Sequence, residues 1–530
     1  MKSVVKKGFV YLVGAGPGRA DLITVSGAEV LRSADCVIYD RLVNPSLLKL
    51  APRNAEIIAV PKRTGGDSVT QEEINKLLVE KASEGKTVVR LKGGDPSIFG
   101  RCAEEVAALA DAGIDFEIVP GVTAGIAAAG YAGIILTDRH FSSQVVFVTG
   151  QEAEGKQQSS IDWKWLAKFN GTIVFYMGMG NLGSIAKRLI ENGMATDTPA
   201  AVVADATLPT QKVAKGPLNR INQKCKEEKI EPPAVVIIGA AADSPRSCLP
   251  SPSDSRRKTG LRATGRRGGM SWFTKKPLFG KNIVVTRDTE GNAAFASKII
   301  SRGGNPIEFT TIKIKPLTEK NEFLRVLAKI SNFDWVIFTS ANGVNIFFEA
   351  LGKDSRVFGS AKIAAIGEQT AAKLSEFGIK ADFVPDVFTG KQLGKQLLCI
   401  ADLRGKKILL LRSQLASNEI IEILEKSGAE VLNVAIYTVV AEKNKSDWLI
   451  EKIKKNQVDW LTFASPSSAL SFFEQIPSQI VNSANVKVAS IGPTTSEQLA
   501  KLAVNVDVTA KEHTIDGLLD AIEKSEKCKT

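Results

Sequence analysis

An internal repeat constrains the fold of the C-terminal half more than any other feature of the chain. The paired segments begin at Gly280 and Gly405 (GKNIVVTR, GKKILLLR), at Asp334 and Asp459 (DWVIFTSANGV, DWLTFASPSSA), and at Lys362 and Lys487 (KIAAIGEQT, KVASIGPTT). The members of each pair are 125 residues apart. Each copy alternates short β-rich apolar runs with amphipathic segments, which predicts two similar α/β lobes with parallel sheets. A cleft between two such lobes is a favoured place for a ligand.

Small-residue turns follow equivalent strands in both copies of the repeat. They are SANG from Ser340, SPSS from Ser465, and the Ile-Gly turns at 366–367 and 491–495. Turns of this kind at strand ends open helices and present backbone N–H groups that bind carboxylates. They also serve as ordinary strand-to-helix connections. Their recurrence in both copies favours a shared anionic ligand.

The N-terminal half also has the pattern of an α/β region. Strands are predicted at Phe9–Val13, Cys36–Tyr39, Val88–Leu91, Val145–Thr149, Thr172–Met177 and Ala234–Ile238. Residues 244–277 interrupt this pattern, because they are rich in Ser, Pro, Gly, Arg and Lys and lack apolar periodicity. We therefore predict three regions: a domain over 1–243, a basic flexible linker over 244–277, and a domain over 278–530.

Composition narrows the classes of function. The chain has 530 residues, which predicts at least two domains. Six scattered cysteines without a CxxC motif and only two histidines argue against a disulfide framework and a metal site. No apolar run is long enough to span a bilayer and no signal-peptide pattern is present, so we expect a cytoplasmic protein without a membrane partner. The net charge of +12 suits a polyanionic small substrate, but leaves a nucleic-acid-binding protein as an alternative.

The turn VGAGPG at Val13–Gly18 partly matches a dinucleotide-binding fingerprint. Asp40 ends the next predicted strand, where a ribose-binding acid would lie. The sixth position of the GxGxxG pattern is Arg19 rather than glycine, and Pro17 lies inside the turn. An NAD-dependent oxidoreductase is therefore a weaker alternative.

A second glycine-rich turn follows the strand Val88–Leu91. Gly93 and Gly94 allow a ligand to approach the backbone closely. Asp95 has a carboxylate that suits hydrogen bonds from a ribose or an ammonium group. Alternatively, Asp95 and Pro96 merely begin a helix.

The motifs of the N-terminal half, taken in order, carry a resemblance that no single motif carries. VYLVGAGPG, VIYDRLV, QEEIN, VVRLKGGDP, PGVTAGIAA, TPAAVV and PPAVVIIG occur in this order in uroporphyrinogen-III C-methyltransferases, a branch of the tetrapyrrole methylases. The resemblance spans nearly all of residues 8–240. It implies two α/β subdomains with S-adenosyl-L-methionine between them, and the transfer of two methyl groups to uroporphyrinogen III, giving precorrin-2. We also expect a homodimer formed through this half.

The resemblance assigns roles to particular residues. The implied cofactor contacts are Pro17, Gly93, Gly94, Asp95, Ile98, Thr123, Ala124, Met177 and Ala206. Asp40, in YDRL, is similar to the proposed proton acceptor of the family, and Lys62, in VPKR, to its proposed proton donor. A structural ion pair between Asp40 and Lys62 is the competing interpretation.

The C-terminal half, over residues 280–525, resembles uroporphyrinogen-III synthase. This implies closure of hydroxymethylbilane to uroporphyrinogen III with inversion of the last pyrrole. One lobe would combine 281–316 with 440–526, and the other would span 317–436. Tyr437, in AIYTVV, would donate a hydrogen bond to the departing hydroxyl, or is an ordinary strand tyrosine. The expected substrate-binding residues are Ser340, Ser465 and Thr494.

Together the two resemblances predict a two-enzyme fusion. The product of the synthase half is the substrate of the methyltransferase half. The carboxylates of both intermediates also fit the basic balance of the chain.

Overall fold

The computed structural model describes residues 8–52, 54–60, 69–139, 142–151, 160–243, 271–318, 321–327, 329–351, 355–442 and 446–527. The chain divides into two compact units. One consists of residues 1–281 with 300–305, and the other of residues 282–299 with 306–530. Within the described ranges, no helix is long and apolar enough to cross a membrane.

The first unit opens with a five-stranded sheet in the order β3-β2-β4-β1-β5, in which all neighbours are parallel. Its strands are β1 Phe9–Gly14, β2 Cys36–Asp40, β3 Glu56–Val60, β4 Thr87–Lys92 and β5 Asp115–Val119. The helices are α1 Val25–Arg32, α2 Gln71–Ser83, α3 Cys102–Asp111 and α4 Ala124–Tyr131. Because the strands are parallel, the glycine-rich turns after β1 and β4 meet at one edge of the sheet.

A second five-stranded sheet follows, in the order β6-β7-β10-β8-β9. Its strands are β6 Val145–Thr149, β7 Thr172–Tyr176, β8 Pro199–Ala204, β9 Lys212–Pro217 and β10 Ala234–Ile238, and its helices are α5 Trp163–Ala167, α6 Leu182–Glu191 and α7 Ile221–Glu227. Strand β10 is antiparallel to both β7 and β8. Strands β7 and β8 therefore run in the same direction, and the residues that follow them lie at the same edge.

The six strands predicted in this half are all present. Strands β3, β5, β8 and β9 were not predicted. Helix α6 shows why the elements form: Leu182, Ile185, Ala186 and Leu189 are buried at helical spacing on one face, as an amphipathic helix against a sheet requires.

The remainder of the chain contains two more five-stranded sheets, in the orders β12-β11-β18-β19-β20 and β13-β17-β16-β14-β15. The strands are β11 Asn282–Val285, β12 Asn305–Glu308, β13 Ile312–Pro316, β14 Trp335–Phe338, β15 Lys362–Ala365, β16 Lys407–Ser413, β17 Glu430–Ala441, β18 Trp460–Phe463, β19 Lys487–Ser490 and β20 Val508–Thr509. The helices are α8 Thr289–Ser301, α9 Asn321–Leu327, α10 Ala341–Leu351, α11 Glu368–Glu376, α12 Gly390–Ile400, α13 Glu419–Lys426, α14 Asp447–Lys454, α15 Pro466–Phe473, α16 Ser478–Ser483, α17 Pro493–Lys501 and α18 Ile515–Lys527.

The repeat predicted from the sequence is a structural repeat. Strands β14 and β18 begin 125 residues apart, as do β15 and β19, and helices α11 and α17. The sheet β12-β11-β18-β19-β20 combines strands from the beginning and the end of the C-terminal half. This confirms the predicted interleaving of the lobes. The predicted boundary at residue 316 is wrong, because β13 pairs with β17 in the other sheet. Strand β17 is 12 residues long, so it pairs with β16 along one part and with β13 along the other.

The predicted linker lies largely outside the described residues, which resume at 271. From there the chain is packed: Phe273 is 1% exposed, and its ring centroid lies 4.9 Å from that of Tyr131. The indole nitrogen of Trp272 donates to the carbonyl of Gly130 at 3.0 Å. The domain boundaries at 243 and 277 stay predictions.

Candidate functional site

Three backbone turns come into close contact at the edge of the first sheet. A Cβ atom on Gly121 would lie 2.3 Å from the carbonyl oxygen of Gly94 and 2.7 Å from the Cα of Gly14. Gly94 also has φ of +71°, which favours glycine. The Gly94 N–H donates to the carbonyl of Gly16 at 3.0 Å, and the Gly16 N–H donates back to Gly94 at 3.2 Å. Only glycines allow the turns after β1, β4 and β5 to pack this tightly.

The carboxylate of Asp95 fixes the turn after β4. One oxygen accepts the backbone N–H of Gly121 at 2.9 Å. The other accepts the backbone N–H of Ser97 at 2.8 Å and also the Ser97 hydroxyl. Asp95 is 9% exposed, and the next helix, α3, begins only at Cys102. The interpretation of Asp95 as a simple helix start is therefore wrong, because this residue connects two turns by hydrogen bonds. Gly93, beside these turns, is exposed.

The facing edge of the second sheet carries backbone strain. Met177 follows β7 with φ of +54°, and Asp205 and Thr207 follow β8 with φ of +47° and +75°. Left-handed conformations of residues other than glycine are costly and cluster at ligand sites. The Thr207 hydroxyl donates to the carbonyl of Pro17 at 2.7 Å and accepts the backbone N–H of Arg19 at 3.0 Å. These bonds join the strained edge to the VGAGPG turn.

Tyr176 makes a second connection between the two sheets. Its hydroxyl lies 2.7 Å from the hydroxyl of Thr123 and accepts the N–H of Gly125 at 2.8 Å. Its ring centroid is 5.1 Å from that of Phe99, in the loop after Asp95. Burial raises the pKa of Tyr176, so the phenol stays protonated. These contacts, with those of Thr207, therefore hold the two edges together, and we call the region where they meet the cleft.

A buried group of charges lies beside this cleft. Arg90 donates to Asp40 at 2.6 Å and to Glu105 at 3.0 Å. Lys92 donates to the two oxygens of Glu105 at 2.8 and 2.7 Å. Burial lowers the pKa of Lys92, and the positive charge of Arg90 lowers it further. Asp40, with its side chain 27% exposed, is the member of this group nearest to solvent.

The arrangement of strands rules out the dinucleotide-binding interpretation of VGAGPG. That interpretation requires Asp40 to lie next to the turn after β1. Strand β4 separates β1 from β2, and the carboxylate of Asp40 is paired with Arg90.

In the C-terminal half, Tyr437 and Ser340 are brought together. Their hydroxyl oxygens are 2.9 Å apart, and the Ser340 oxygen also accepts the N–H of Gly343 at the start of α10. Tyr437 is 7% exposed. Burial raises its pKa, hydrogen bonds with Ser340 and Ser413 act against this, and the charge of Asp288 acts with it. The phenol is therefore a protonated donor at neutral pH.

Ser465 and Thr494 lie at the edge of the other sheet. Ser465 is the repeat equivalent of Ser340, and its hydroxyl accepts the N–H of Ser468 at 3.1 Å at the start of α15. Thr494 is exposed in the first turn of α17. Strands β18 and β19, which precede these turns, are parallel neighbours. The two residues therefore lie at one edge, and their hydroxyl groups belong to turns that the repeat duplicates.

Comparison with known proteins identifies both halves. Residues 10–222 match the family model described as Tetrapyrrole (Corrin/Porphyrin) Methylases, and residues 293–520 match Uroporphyrinogen-III synthase HemD. A protein from Ruminiclostridium josui named "Porphyrin biosynthesis protein HemD" is 37% identical over 523 residues, which are 98% of each chain. The chain belongs to this family of porphyrin biosynthesis proteins. It joins a tetrapyrrole methylase half to a uroporphyrinogen-III synthase half, as the sequence motifs predicted.

Two further similar proteins are named as uroporphyrinogen III methyltransferases. The uroporphyrinogen-III C-methyltransferase of Bacillus subtilis is 39% identical over 378 residues, covering 71% of this chain and 73% of that protein. The S-adenosyl-L-methionine-dependent uroporphyrinogen III methyltransferase of Methanosarcina barkeri is 47% identical over 232 residues, covering 44% of this chain and 91% of that protein.

Within the methylase half, the predicted cofactor contacts gather at one cleft. The turns after β1, β4 and β5 and the residues after β7 and β8 carry Pro17, Gly93, Gly94, Asp95, Ile98, Thr123, Ala124, Met177 and Ala206. Ile98, Ala124 and Ala206 pack against the same apolar cluster as Tyr176. A Cβ on Gly18 would lie 2.8 Å from the carbonyl of Ala206. Lys62 lies outside the described residues. The roles of all these residues stay predictions.

Sequence reasoning missed four residues that shape the methylase cleft: Arg90, Glu105, Tyr176 and Thr207. A clue was present for the first, because VVRLK places a cation inside an apolar strand. A buried cation requires a buried partner. No comparable pattern marks Tyr176 or Thr207, because their partners, Thr123 and Pro17, are distant in the sequence.

Proposed function

We propose that the chain converts hydroxymethylbilane to uroporphyrinogen III and then methylates this product twice with S-adenosyl-L-methionine, giving precorrin-2. The observation that carries the proposal is the match over 98% of the chain to a porphyrin biosynthesis protein, with both family models in one polypeptide. The fixed cleft between the two sheets supports it, because the residues implied in cofactor binding gather there.

The residues of the cleft suit S-adenosyl-L-methionine. Gly93 and Met177, two of the residues implied in cofactor binding, are both exposed, and Met177 has φ of +54°. The cofactor supplies a methyl group already activated on a sulfonium. The protein therefore has to hold a pyrrole carbon in line with that methyl, which is catalysis by positioning. Asp95 fixes two of the turns and is also proposed to contact the cofactor.

Asp40 is the proposed base of the methylase half. Methylation of a pyrrole carbon leaves a cationic ring, which must lose a proton from another position. The carboxylate of Asp40 is held by Arg90 and remains partly exposed. Lys62 is proposed as the matching proton donor.

In the synthase half, Tyr437 is the proposed donor to the hydroxyl that leaves hydroxymethylbilane. Its protonated phenol is oriented by the 2.9 Å contact with Ser340. Ser340, Ser465 and Thr494 are proposed to bind substrate carboxylates through the helix starts at which they lie. The main work of this half is then to hold a flexible polycarboxylate in a folded pose.

The place and assembly of the protein are part of the proposal. We place it in the cytoplasm, as a homodimer formed through the methylase half. Light scattering on the purified chain tests the second point, and a monomer at micromolar concentration would contradict it.

Purified protein incubated with uroporphyrinogen III and S-adenosyl-L-methionine tests the methylase half by itself. The product should gain two methyl groups for two molecules of cofactor consumed. Calorimetry with S-adenosyl-L-methionine and with NAD separates this function from an oxidoreductase. A protein that binds NAD and does not consume S-adenosyl-L-methionine would refute the proposal.

A further inference from the structure

The buried charges beside the cleft form one connected network of four groups. Glu105 lies at its centre and is 0% exposed. It accepts from the Nε of Arg90 at 3.0 Å and from Lys92 at 2.8 and 2.7 Å. Arg90 in turn donates to Asp40 at 2.6 Å. Two cations thus face two carboxylates, and the network as a whole is neutral.

Three elements supply these groups, and their geometry explains the network. Arg90 and Lys92 are two residues apart on β4, so their side chains leave the same face of the sheet. Glu105 comes from α3, which covers that face, and Asp40 ends the neighbouring strand β2. Gln71 at the start of α2 adds a donor to Glu105 at 3.3 Å. Lys92 also precedes Gly93, the first residue of the turn that Asp95 fixes.

Such a network is costly to bury and has to be complete. A buried ion pair is seldom a net source of stability, but removing one partner leaves a charge without compensation. Apolar side chains at these positions would pack between α3 and the sheet at a lower cost in desolvation energy. The network is worth its cost if it holds one of its members in a precise position. That member is Asp40, whose side chain is the most exposed of the four.

We infer that Glu105 is a positioning residue for methyl transfer, which holds Arg90 so that Arg90 fixes the carboxylate of Asp40. This inference rests on the proposed function, in which Asp40 acts as the base. Glu105 is fully buried and therefore acts through Arg90. The second carboxylate oxygen of Glu105 binds Lys92, which keeps that cation from competing with Arg90 for Asp40.

Glu105→Gln in the full chain tests the inference. The amide removes the negative charge that Arg90 and Lys92 share, and it replaces one oxygen that Lys92 contacts by an NH2 donor. Lys92 is then repelled and Arg90 is held less firmly, so Asp40 is displaced. A displacement of about 1 Å can cost about 100-fold in rate, and we expect kcat for methylation to fall by about 10- to 100-fold. The KM for uroporphyrinogen III and the rate of the synthase half should stay near their parental values.

Two further variants separate positioning from general damage. Glu104→Gln is the matched control, because Glu104 is the next residue on α3 and pairs with the exposed Arg101; it should methylate at the parental rate. The double variant Lys92→Met with Glu105→Gln removes one charge of each sign. It keeps an acceptor for Arg90 and restores neutrality, so it should recover most of the lost rate, to within about threefold. This variant also decides the matter if the single variant fails to fold.

A cycle with Asp40→Asn shows whether Glu105 acts through Asp40. If it does, adding Glu105→Gln to Asp40→Asn causes no further loss of kcat, because coupled residues are not additive. Multiplied losses, or full activity of the folded Glu105→Gln variant, would overturn the inference. Full methylation by Asp40→Asn alone would instead refute the proposed role of Asp40, and absence of methylation by the parent would refute the proposed function.

Discussion

At the scale of single residues, the structure shows hydrogen-bond and ion-pair partners that the sequence does not reveal. The two carboxylate oxygens of Asp95, a predicted cofactor contact, accept the backbone N–H groups of Ser97 and Gly121. The carboxylate of Asp40 pairs with Arg90, and its predicted partner Lys62 lies outside the described residues. The residue types were predictable from the sequence. Their partners were not, because each lies on another loop or strand.

Replacing Asp95 by Ala should weaken binding of S-adenosyl-L-methionine. The change removes acceptors for two backbone N–H groups, and a hydrogen bond to a charged group contributes roughly 1.5–3 kcal/mol. We expect the dissociation constant measured by calorimetry to rise by about 10- to 100-fold, equivalent to about 1.4–2.8 kcal/mol. Asp95→Asn keeps acceptor oxygen and should bind more tightly than Asp95→Ala. Unchanged cofactor affinity in a folded Asp95→Ala protein, with the synthase half active, would contradict the role of Asp95.

Replacing Tyr437 by Phe should slow ring closure without unfolding the synthase half, because only the hydroxyl is lost. If this group donates to the leaving hydroxyl, the rate should fall by roughly one to four orders of magnitude. Methylation of supplied uroporphyrinogen III should not change. Because burial raises the pKa of Tyr437, the parental rate should not fall through loss of this proton until the pH exceeds about 10, the ordinary pKa of tyrosine.

The isomer formed by the Tyr437→Phe protein provides the clearest measurement. Slow closure should allow the spontaneous, non-inverted isomer I of uroporphyrinogen to accumulate from hydroxymethylbilane. If the variant forms isomer III at the parental rate, Tyr437 serves only in packing. Catalysis would then depend mainly on the turns at Ser340 and Ser465, which hold the substrate in its folded pose.

At the scale of elements, the sequence predicted the positions of strands and helices better than it predicted which strands pair. The repeat of 125 residues predicted where β14 and β18 begin, and helices α11 and α17 follow it as well. The predicted lobe boundary failed at β13, since a strand does not reveal its partner sheet. The order β3-β2-β4-β1-β5 is likewise a long-range property, and it alone decides that Asp40 faces Arg90 rather than the VGAGPG turn.

Cutting the chain within 246–270 should leave both activities intact. This segment has no apolar periodicity, so neither core should depend on it. The described chain becomes packed again only after it, at Trp272 and Phe273. The measurement is the rate of each half-reaction before and after the cut. A cut at the turn around Gly193, between α6 and β8, is the control and should abolish methylation. Insoluble or inactive pieces from the first cut would show that the linker interpretation is wrong.

At the scale of the whole molecule, the chain joins two halves whose family assignments are shown over almost its full length. Fold class, order of the halves and family were predictable because the motifs are many and occur in a fixed order. The network around Glu105 was not, because it depends on three elements brought together only by folding. The positive net charge of +12 suits the polycarboxylate intermediates of both halves.

The most direct measurement is incubation of the intact protein with hydroxymethylbilane and S-adenosyl-L-methionine as the sole substrates, followed by mass analysis of the products. We predict a tetrapyrrole of the isomer III series that carries two added methyl groups, formed without added synthase. Omitting the cofactor should stop the reaction at uroporphyrinogen III. Isomer I alone, or an unmethylated product in the presence of the cofactor, would contradict a chain that both closes and methylates the ring.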